Sequence, residues 1–470
     1  MIAALLLGLT WVLVTPAFQA PDENAHFGYV QSLVESGDLP GDVAKPPYSS
    51  EQEAAMTVSN SNQTAAVLAT KMEWSRRTWE RWLDRGDPSF GHAGRADTGG
   101  PNPAAFNPPL YYVYDSLAYR ATSSGNLFSR LTAMRMLSVL WLLVTVAAAW
   151  LLAGEIFNRD KLLGLAAAGL AAFAPMVSFV SASVSPDAML LATWTVALWL
   201  GVRILRRGIT AANAAVFFAV VGAATIVKAT SFALLPGALL VLAIGLHRRR
   251  PLPLQRAARL AGAAAGALVV TAGAWFAVAH ALSRPAAAQV SSASTTAGTS
   301  IRELFSYVWQ YYLPRIPGQN DFPTAAHTLP AYDIWFKGVW ASFGWTEVVF
   351  RNRVYIVLLA LTLVVIVAAS SELWRTRTTA DRAIGAFLAL VTLSLLAGLH
   401  WSDYRIIKGG GSFNQGRYLL PLIGVAGLVL ALAVRRLAPA RRPLAVAGVF
   451  GGLMLLQVLS IALMVQRYYA

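Results

Sequence analysis

Apolar runs of about 17 to 25 residues recur along this chain, each long enough to cross a hydrocarbon core as a helix. In order they fall near Ile2 to Phe18, Leu131 to Leu152, Leu162 to Val184, Ala188 to Ile204, Ala211 to Val227 and Ser231 to Leu246. Five more follow, near Ala257 to Ala281, Val354 to Ala369, Ile384 to Leu399, Tyr418 to Val434 and Leu444 to Val465. The pattern predicts an all-α, polytopic helical membrane protein with about eleven transmembrane helices. Between the first two runs lies a long polar segment without a spanning run, and Leu282 to Arg353 forms a second. The chain is expected to divide at 1–20, 21–130, 131–281, 282–353 and 354–470: first span, first loop, bundle, second loop and C-terminal helices.

Composition agrees with the pattern. Of 470 residues, 56% are hydrophobic and 13% charged, too few charges to cover a soluble surface. The net charge of +15 would suggest nucleic acid in a soluble protein. Here the Lys and Arg residues cluster in short turns: Arg159 with Lys161, Arg203 with Arg206 and Arg207, Arg248 to Arg250, Arg375 with Arg377 and Arg382, and Arg435 with Arg436, Arg441 and Arg442. The positive-inside rule accounts for them without a nucleic-acid partner and predicts a cytoplasmic N-terminus with both long segments outside. Met1 to Phe18 lacks a basic leader and a good small-residue cleavage site, so it reads as a first span rather than a removed signal. With no cysteine, thiolate chemistry and disulfides are excluded.

Against this apolar background the polar stretch Pro21-Asp22-Glu23-Asn24-Ala25-His26 stands out. If Pro21 occupies the first turn of a new helix, Asp22, Glu23 and His26 fall three and four residues apart and face one point near the bilayer surface. Acidic residues in a first turn also complement the helix dipole, so a plain helix start is the alternative. Asn62 to Leu83, with Trp74, Trp79 and Trp82 beside Arg76, Arg77, Arg81 and Arg85, predicts a helix in the headgroup layer or a soluble amphipathic one. At Asn107-Pro108-Pro109-Leu110-Tyr111-Tyr112 the prolines predict an extended entry into a helix, and the tyrosines an amphipathic interface face. In the second long segment Trp309, Tyr311, Tyr312, Trp335, Trp340 and Trp345 suit an interfacial platform or a binding wall. Trp401 to Arg417 carries a triple glycine with Arg405, Lys408 and Arg417 around it.

On the predicted topology these features share one side: a base, cations and aromatic walls at the membrane surface, as a lipid-phosphate-linked substrate would need. In an inverting glycosyl transfer Asp22 would remove the acceptor's proton, with Glu23 orienting it or the acceptor. Arg417, Lys228 and Arg405 are candidates for the phosphate, and His26, Asn107, Tyr111, Tyr112, Lys408, Gln415 and Tyr418 for further substrate contacts. Each has a bland alternative: Lys228 snorkelling from a helix end, Arg417 anchoring the interface beside Tyr418, Asp187 capping the helix after Pro186. Glu23-x-x-His26 is half of a di-iron spacing, but no second copy occurs. No metal or cofactor is assigned; a single divalent cation on Asp22, Glu23 or His26 stays open.

Asp22-Glu23 after the first span, Asn107-Pro108-Pro109-Leu110-Tyr111-Tyr112, Ser185-Pro186-Asp187 and Gln415-Gly416-Arg417-Tyr418 resemble motifs of the GT-C superfamily of integral membrane glycosyltransferases. The nearest resemblance is to a bacterial family of predicted membrane proteins of unassigned function with a Pro-Asp-Glu-x-x-His signature. Protein O-mannosyltransferases and the aminoarabinose transferases of lipid A are more distant. The resemblance implies a bacterial plasma-membrane protein with a polyprenyl-phosphate sugar donor, an envelope glycan, glycolipid or protein acceptor, and a catalytic base at Asp22, with Glu23 as fallback. One departure is Asn107, where the family pattern often has histidine. A transporter or flippase of lipid-linked precursors is the alternative class, disfavoured because the runs hold almost no central charge and show no internal repeat. A non-catalytic glycan-assembly subunit is the third.

Overall fold

The computed structural model describes residues 1–66, 70–72, 92–249, 251–282, 300–319, 329–375, 379–408 and 414–470. Among the described residues the protein is helical, its one β feature an isolated bridge between Phe343 and Val348. Eight helices are long and apolar enough to cross a membrane: Leu127–Ile156, Asp187–Arg207, Ala229–His247, Leu254–Ala281, Asn352–Arg375, Asp381–Lys408, Gly416–Arg436 and Pro439–Tyr468. Two shorter apolar helices, Ile2–Val14 and Ala211–Thr225, match the first and fifth predicted runs. The predicted span from Leu162 to Val184 is instead broken: Lys161–Phe173 and Pro175–Ser181 meet at 57°. Pro175 has no N–H to continue the ladder, and it forces Ala174 into extended backbone, so the helix stops and restarts in a new direction.

Two kinds of surface follow from the sequence. Asn352–Arg375 leaves Ile356, Val357, Leu361, Leu363, Val364 and Val367 exposed, as a lipid-facing helix should. Asp187–Arg207 is wrapped on all sides and buries Trp194, whose Nε1 donates to Ser231 Oγ at 3.0 Å. Where helices cross most closely, small residues make room: a Cβ on Gly427 would stand 2.8 Å from the carbonyl oxygen of Ala167.

The polar segments are tied down by buried charge and aromatic packing. Arg130, fully buried at the start of Leu127–Ile156, donates to Glu51 of the first long segment and to the Tyr119 hydroxyl. Trp11 of the first helix packs against Phe179 and Phe343, which also touch each other. Trp345 donates its Nε1 to the Phe18 carbonyl at 3.1 Å, joining the second long segment to the end of the first helix. Tyr311 and Trp335, expected in a platform or binding wall, are buried around His400, with ring centroids 4.8 and 4.9 Å from the imidazole. The predicted headgroup-layer helix with Trp74, Trp79 and Trp82 lies mostly outside the described residues, as does the triple glycine at 409–411.

Chain direction sorts the polar groups between two ends of the bundle. Asp22, Asp187, Lys228 and Arg417 meet at one end, and the turns holding Arg159, Arg206, Arg248 and Arg435 lie at the other. Replacing Gly427 by Ala is expected to destabilise the fold by about 1–3 kcal/mol through backbone overpacking, seen as a lower unfolding midpoint in detergent.

Candidate active site

The site is built from the ends of four segments. Asp22 stands just outside the helix Glu23–Gln31, in the left-handed region at φ 62°. Aspartate tolerates that conformation better than most residues, though not freely, and such strain persists where the surroundings hold it. Helix entry therefore occurs two residues later than a start at Pro21 would give. That offset throws the Asp22 and Glu23 carboxylates in different directions.

Glu23 goes inward. It is fully buried and receives Arg135 on both oxygens, Nε at 2.7 Å and Nη2 at 2.5 Å. The backbone N–H groups of Phe18 and Val184 complete its shell, each at 3.1 Å. Arg135 also donates to the carbonyls of Thr15 and Pro16 at 2.6 and 2.8 Å. Every lone pair facing this bidentate fork is used, so Glu23 is a structural lock and the expectation that it orients the base or acceptor is corrected. Among the described residues no group of three His, Cys, Asp or Glu side chains is placed to hold a metal ion.

Asp22 goes to the site. Its Oδ2 accepts from Arg417 Nη2 at 2.5 Å, and its side chain remains one-third exposed. Burial by itself raises the Asp22 pKa, but the charge of Arg417, with His26, the Arg417 hydrogen bond and Lys228, more than offsets that and holds it below the usual range. Beside this pair, Lys228 Nζ meets Asp187 Oδ1 at 2.6 Å, and Arg417 Nη1 lies 3.8 Å from Asp187 Oδ2. Both cations also lie over the Tyr418 ring, Lys228 at 5.2 Å and Arg417 at 5.5 Å from its centroid.

Lys228 and Arg417 are thus buried partners rather than snorkelling or anchoring side chains. Asp187 does not cap its helix; Ser185 Oγ receives the Asp187 N–H at 3.3 Å, and the Asp187 carboxylate turns to Lys228. Sequence reasoning missed Asp187 as a member of the site and Arg135 as the partner of Glu23. A charge in each otherwise apolar helix was the available signal.

His26, Asn107 and Tyr112 form the adjoining wall. His26 Nδ1 and Asn107 Nδ2 each lie 2.9 Å from the Tyr112 hydroxyl, and Tyr29 stacks on the Tyr112 ring at 3.7 Å. Burial lowers the His26 pKa to about 4 despite Asp22, so the imidazole is neutral at physiological pH. Both tyrosines of the Pro-Pro-Leu-Tyr-Tyr stretch are fully buried, correcting the interface face expected of them. Tyr111 is also absent from the site, its hydroxyl bonded to Asp115 at 3.1 Å and Ser138 at 2.9 Å.

Gln415 contributes through its backbone, its carbonyl accepting from the Tyr418 N–H at 3.2 Å to open the turn that carries Arg417. Gly416 explains how that turn is seated: a Cβ there would stand 2.3 Å from the carbonyl carbon of Gly338. Two glycine backbones thus press together, and Gly338 was not singled out from sequence. The two remaining cations are corrected. Lys408 pairs with Glu303 at 2.7 Å, and Arg405 lies 5.7 Å from the Trp401 ring. They project from the last turns of Thr379–Lys408, where Lys408 meets the helix Ile301–Tyr312 instead of joining Arg417.

The fold and site define a multi-pass helical membrane protein with a compact charged group at one end of its bundle. The chain belongs to the family described as predicted membrane protein DUF2142, whose model matches residues 5–426. No curated protein matches it. Among solved structures it is similar to ArnT from Cupriavidus metallidurans bound to undecaprenyl phosphate, at 13% identity and TM-score 0.48, over 95% of this chain and 62% of that one. It is also similar to the Archaeoglobus fulgidus oligosaccharyltransferase in the apo form, at 12% identity and TM-score 0.51, over 99% of this chain and 55% of that one. The chain therefore spans under two-thirds of the length of either. The archaeal match shows a shared fold, and the architecture is GT-C-like.

Removing one partner of the Glu23–Arg135 pair leaves a buried charge uncompensated. Glu23→Ala and Arg135→Ala are each expected to lose about 3–5 kcal/mol of stability. Thermal unfolding of the purified variants measures this, and a loss below about 1 kcal/mol would contradict the lock.

Proposed function

We propose that this protein is an inverting glycosyltransferase that takes its sugar from a polyprenyl phosphate, with Asp22 as the base. The observation that carries the reading is the pairing of a partly exposed carboxylate, Asp22, with a buried arginine whose bonding is incomplete. Arg417 gives Nη2 to Asp22, yet its Nε is buried without a hydrogen-bond partner among the described residues. Its Nη1 makes one long hydrogen bond, to the Pro21 carbonyl at 3.4 Å, and otherwise faces Asp187 Oδ2 at 3.8 Å. A guanidinium left with free donors in a buried setting suits a bidentate anion such as phosphate, which docks without displacing Asp22. The GT-C-like fold shared with an oligosaccharyltransferase agrees with this reading.

The chemistry follows from these positions. The acceptor hydroxyl oxygen attacks the anomeric carbon from the face opposite the phosphate, and its proton passes to Asp22 as the C–O bond to phosphate breaks. The bonding pair leaves with the polyprenyl phosphate. Arg417 and Lys228 stabilise the charge that grows there. Asp187 holds Lys228 in place, and the two carboxylates balance the two cations before substrate arrives.

Asp22→Asn removes the base and is expected to lower kcat roughly 100- to 10,000-fold with a panel of polyprenyl-phosphate sugars, at unchanged fold. Equal turnover by that variant would remove Asp22 from the mechanism. Because the Asp22 pKa is depressed, its basic form persists on acidification until pH falls below the ordinary carboxylate value of about 3.9. The acidic limb of kcat/KM is therefore expected below pH 4; a limb near pH 6 to 7 would point to a different base.

The arginine-rich turns lie at the far end of the bundle, and the positive-inside rule supports a site outside the cytoplasm. The natural chain has no cysteine, which makes single-cysteine labelling clean. Ser124→Cys is expected to react with an impermeant maleimide on intact cells, and Ala438→Cys only after permeabilisation. The reverse result would invert the topology.

A further inference from the structure

His26 sits among charged groups without sharing in their ion pairs. Asp22, Asp187, Lys228 and Arg417 all act on it electrostatically, yet among the described residues the one hydrogen bond of its ring joins Nδ1 and the Tyr112 hydroxyl, 2.9 Å apart. The direction of that bond can be deduced. Asn107 Nδ2 also lies 2.9 Å from the same oxygen, and an amide N–H only donates. The Tyr112 oxygen thus accepts from Asn107 and has its own proton left to place. Tyr112 is fully buried, and among the described residues His26 Nδ1 is the acceptor within its reach.

Further contacts fix the arrangement. Tyr29 stacks nearly parallel on Tyr112, at 9°, and gives its hydroxyl to the Asn107 carbonyl at 3.2 Å. With its lone pair at Nδ1 engaged, the ring carries its proton at Nε2. That nitrogen is directed away from Tyr112, and no hydrogen-bond partner meets it among the described residues. The His26 backbone N–H donates to the Asp22 carbonyl at 3.0 Å, which keeps the imidazole one turn beyond the carboxylate.

We propose that His26 is a fixed hydrogen-bond donor to a phosphate oxygen of the substrate, its Nε2–H set by the Asn107–Tyr112 pair. This rests on reading the Arg417 group as a phosphate site. Both ring nitrogens are then committed, so His26 takes no proton from the acceptor and that task stays with Asp22. It also gives Asn107 a function: a side-chain amide serves as a constant donor to Tyr112, where a histidine would have two tautomers.

The test is the 15N spectrum of the full-length, histidine-labelled protein in lipid nanodiscs at pH 7, with His26 assigned through His26→Gln. Expected are a protonated Nε2 and an unprotonated Nδ1, with the two signals averaging toward a tautomer mixture in Tyr112→Phe. A proton on Nδ1, or on both nitrogens, would overturn the proposal whether or not the protein binds phosphate. Adding a C55 polyprenyl phosphate should move the Nε2–H signal downfield as the 31P signal shifts. A 31P shift that leaves His26 unmoved would remove the contact while sparing the phosphate site; no 31P change would remove the site and the partner assigned to His26. His26→Phe should weaken binding roughly 10- to 100-fold, and His26→Gln, which restores an N–H donor, should recover most of it. Equal loss in both variants would mark a merely architectural role.

Discussion

The buried pair of Glu23 and Arg135 is the constraint on which the site depends. Arg135 binds both oxygens of Glu23 and the carbonyls that end the first helix, while Glu23 holds the backbone of Phe18 and Val184. One ion pair thus draws together the first helix, the turn after it, the start of Leu127–Ile156 and the bend before Asp187. In a low-dielectric setting such a pair is sustained only when nearly every donor and acceptor is met, and here they are. Its effect on the site is geometric. With Glu23 fixed inward, the adjacent Asp22 is held in left-handed backbone with its carboxylate turned to Arg417.

The charged group beyond it has a balance of its own. Two carboxylates, one lysine and one arginine sum to zero, and burial keeps the central imidazole uncharged. Neutrality lets mutual attraction offset much of the desolvation cost of assembling such a group at the end of a membrane bundle. Its spare capacity lies in undirected valences, the Arg417 Nε and Asp187 Oδ2, each buried and without a hydrogen-bond partner among the described residues. Buried polar atoms in that state mark where an incoming group would find bonds already aimed.

Much of this was legible in the chain. Apolar run lengths anticipated the helical segments, and each of the eleven runs is largely helical, though two are short and one bends at Pro175. Asp22, His26, Asn107, Tyr112, Lys228, Arg417 and Tyr418 do converge, because polar residues at the ends of apolar helices were rare enough to single out. Spacing failed at Glu23, since three- and four-residue rules assume a helix register, and Asp22 breaks that register by leaving the helical region; Tyr111, next to Tyr112 on its helix, faces another side and meets Asp115 and Ser138. It failed at Arg405 and Lys408 because loop proximity in sequence does not say which neighbouring helix a side chain will meet. Asp187 was read locally as a cap, and its partner Lys228 lies 41 residues further on.

The contact between Gly338 and Gly416 ties the geometry of the charged group to a segment far from it in sequence. Because neither backbone has a side chain to yield, a shift of the short helix Lys337–Trp340 is transmitted rigidly to the turn beneath Arg417. The seat of the Arg417 turn is therefore set by the short helix Lys337–Trp340 as much as by its own neighbours in sequence.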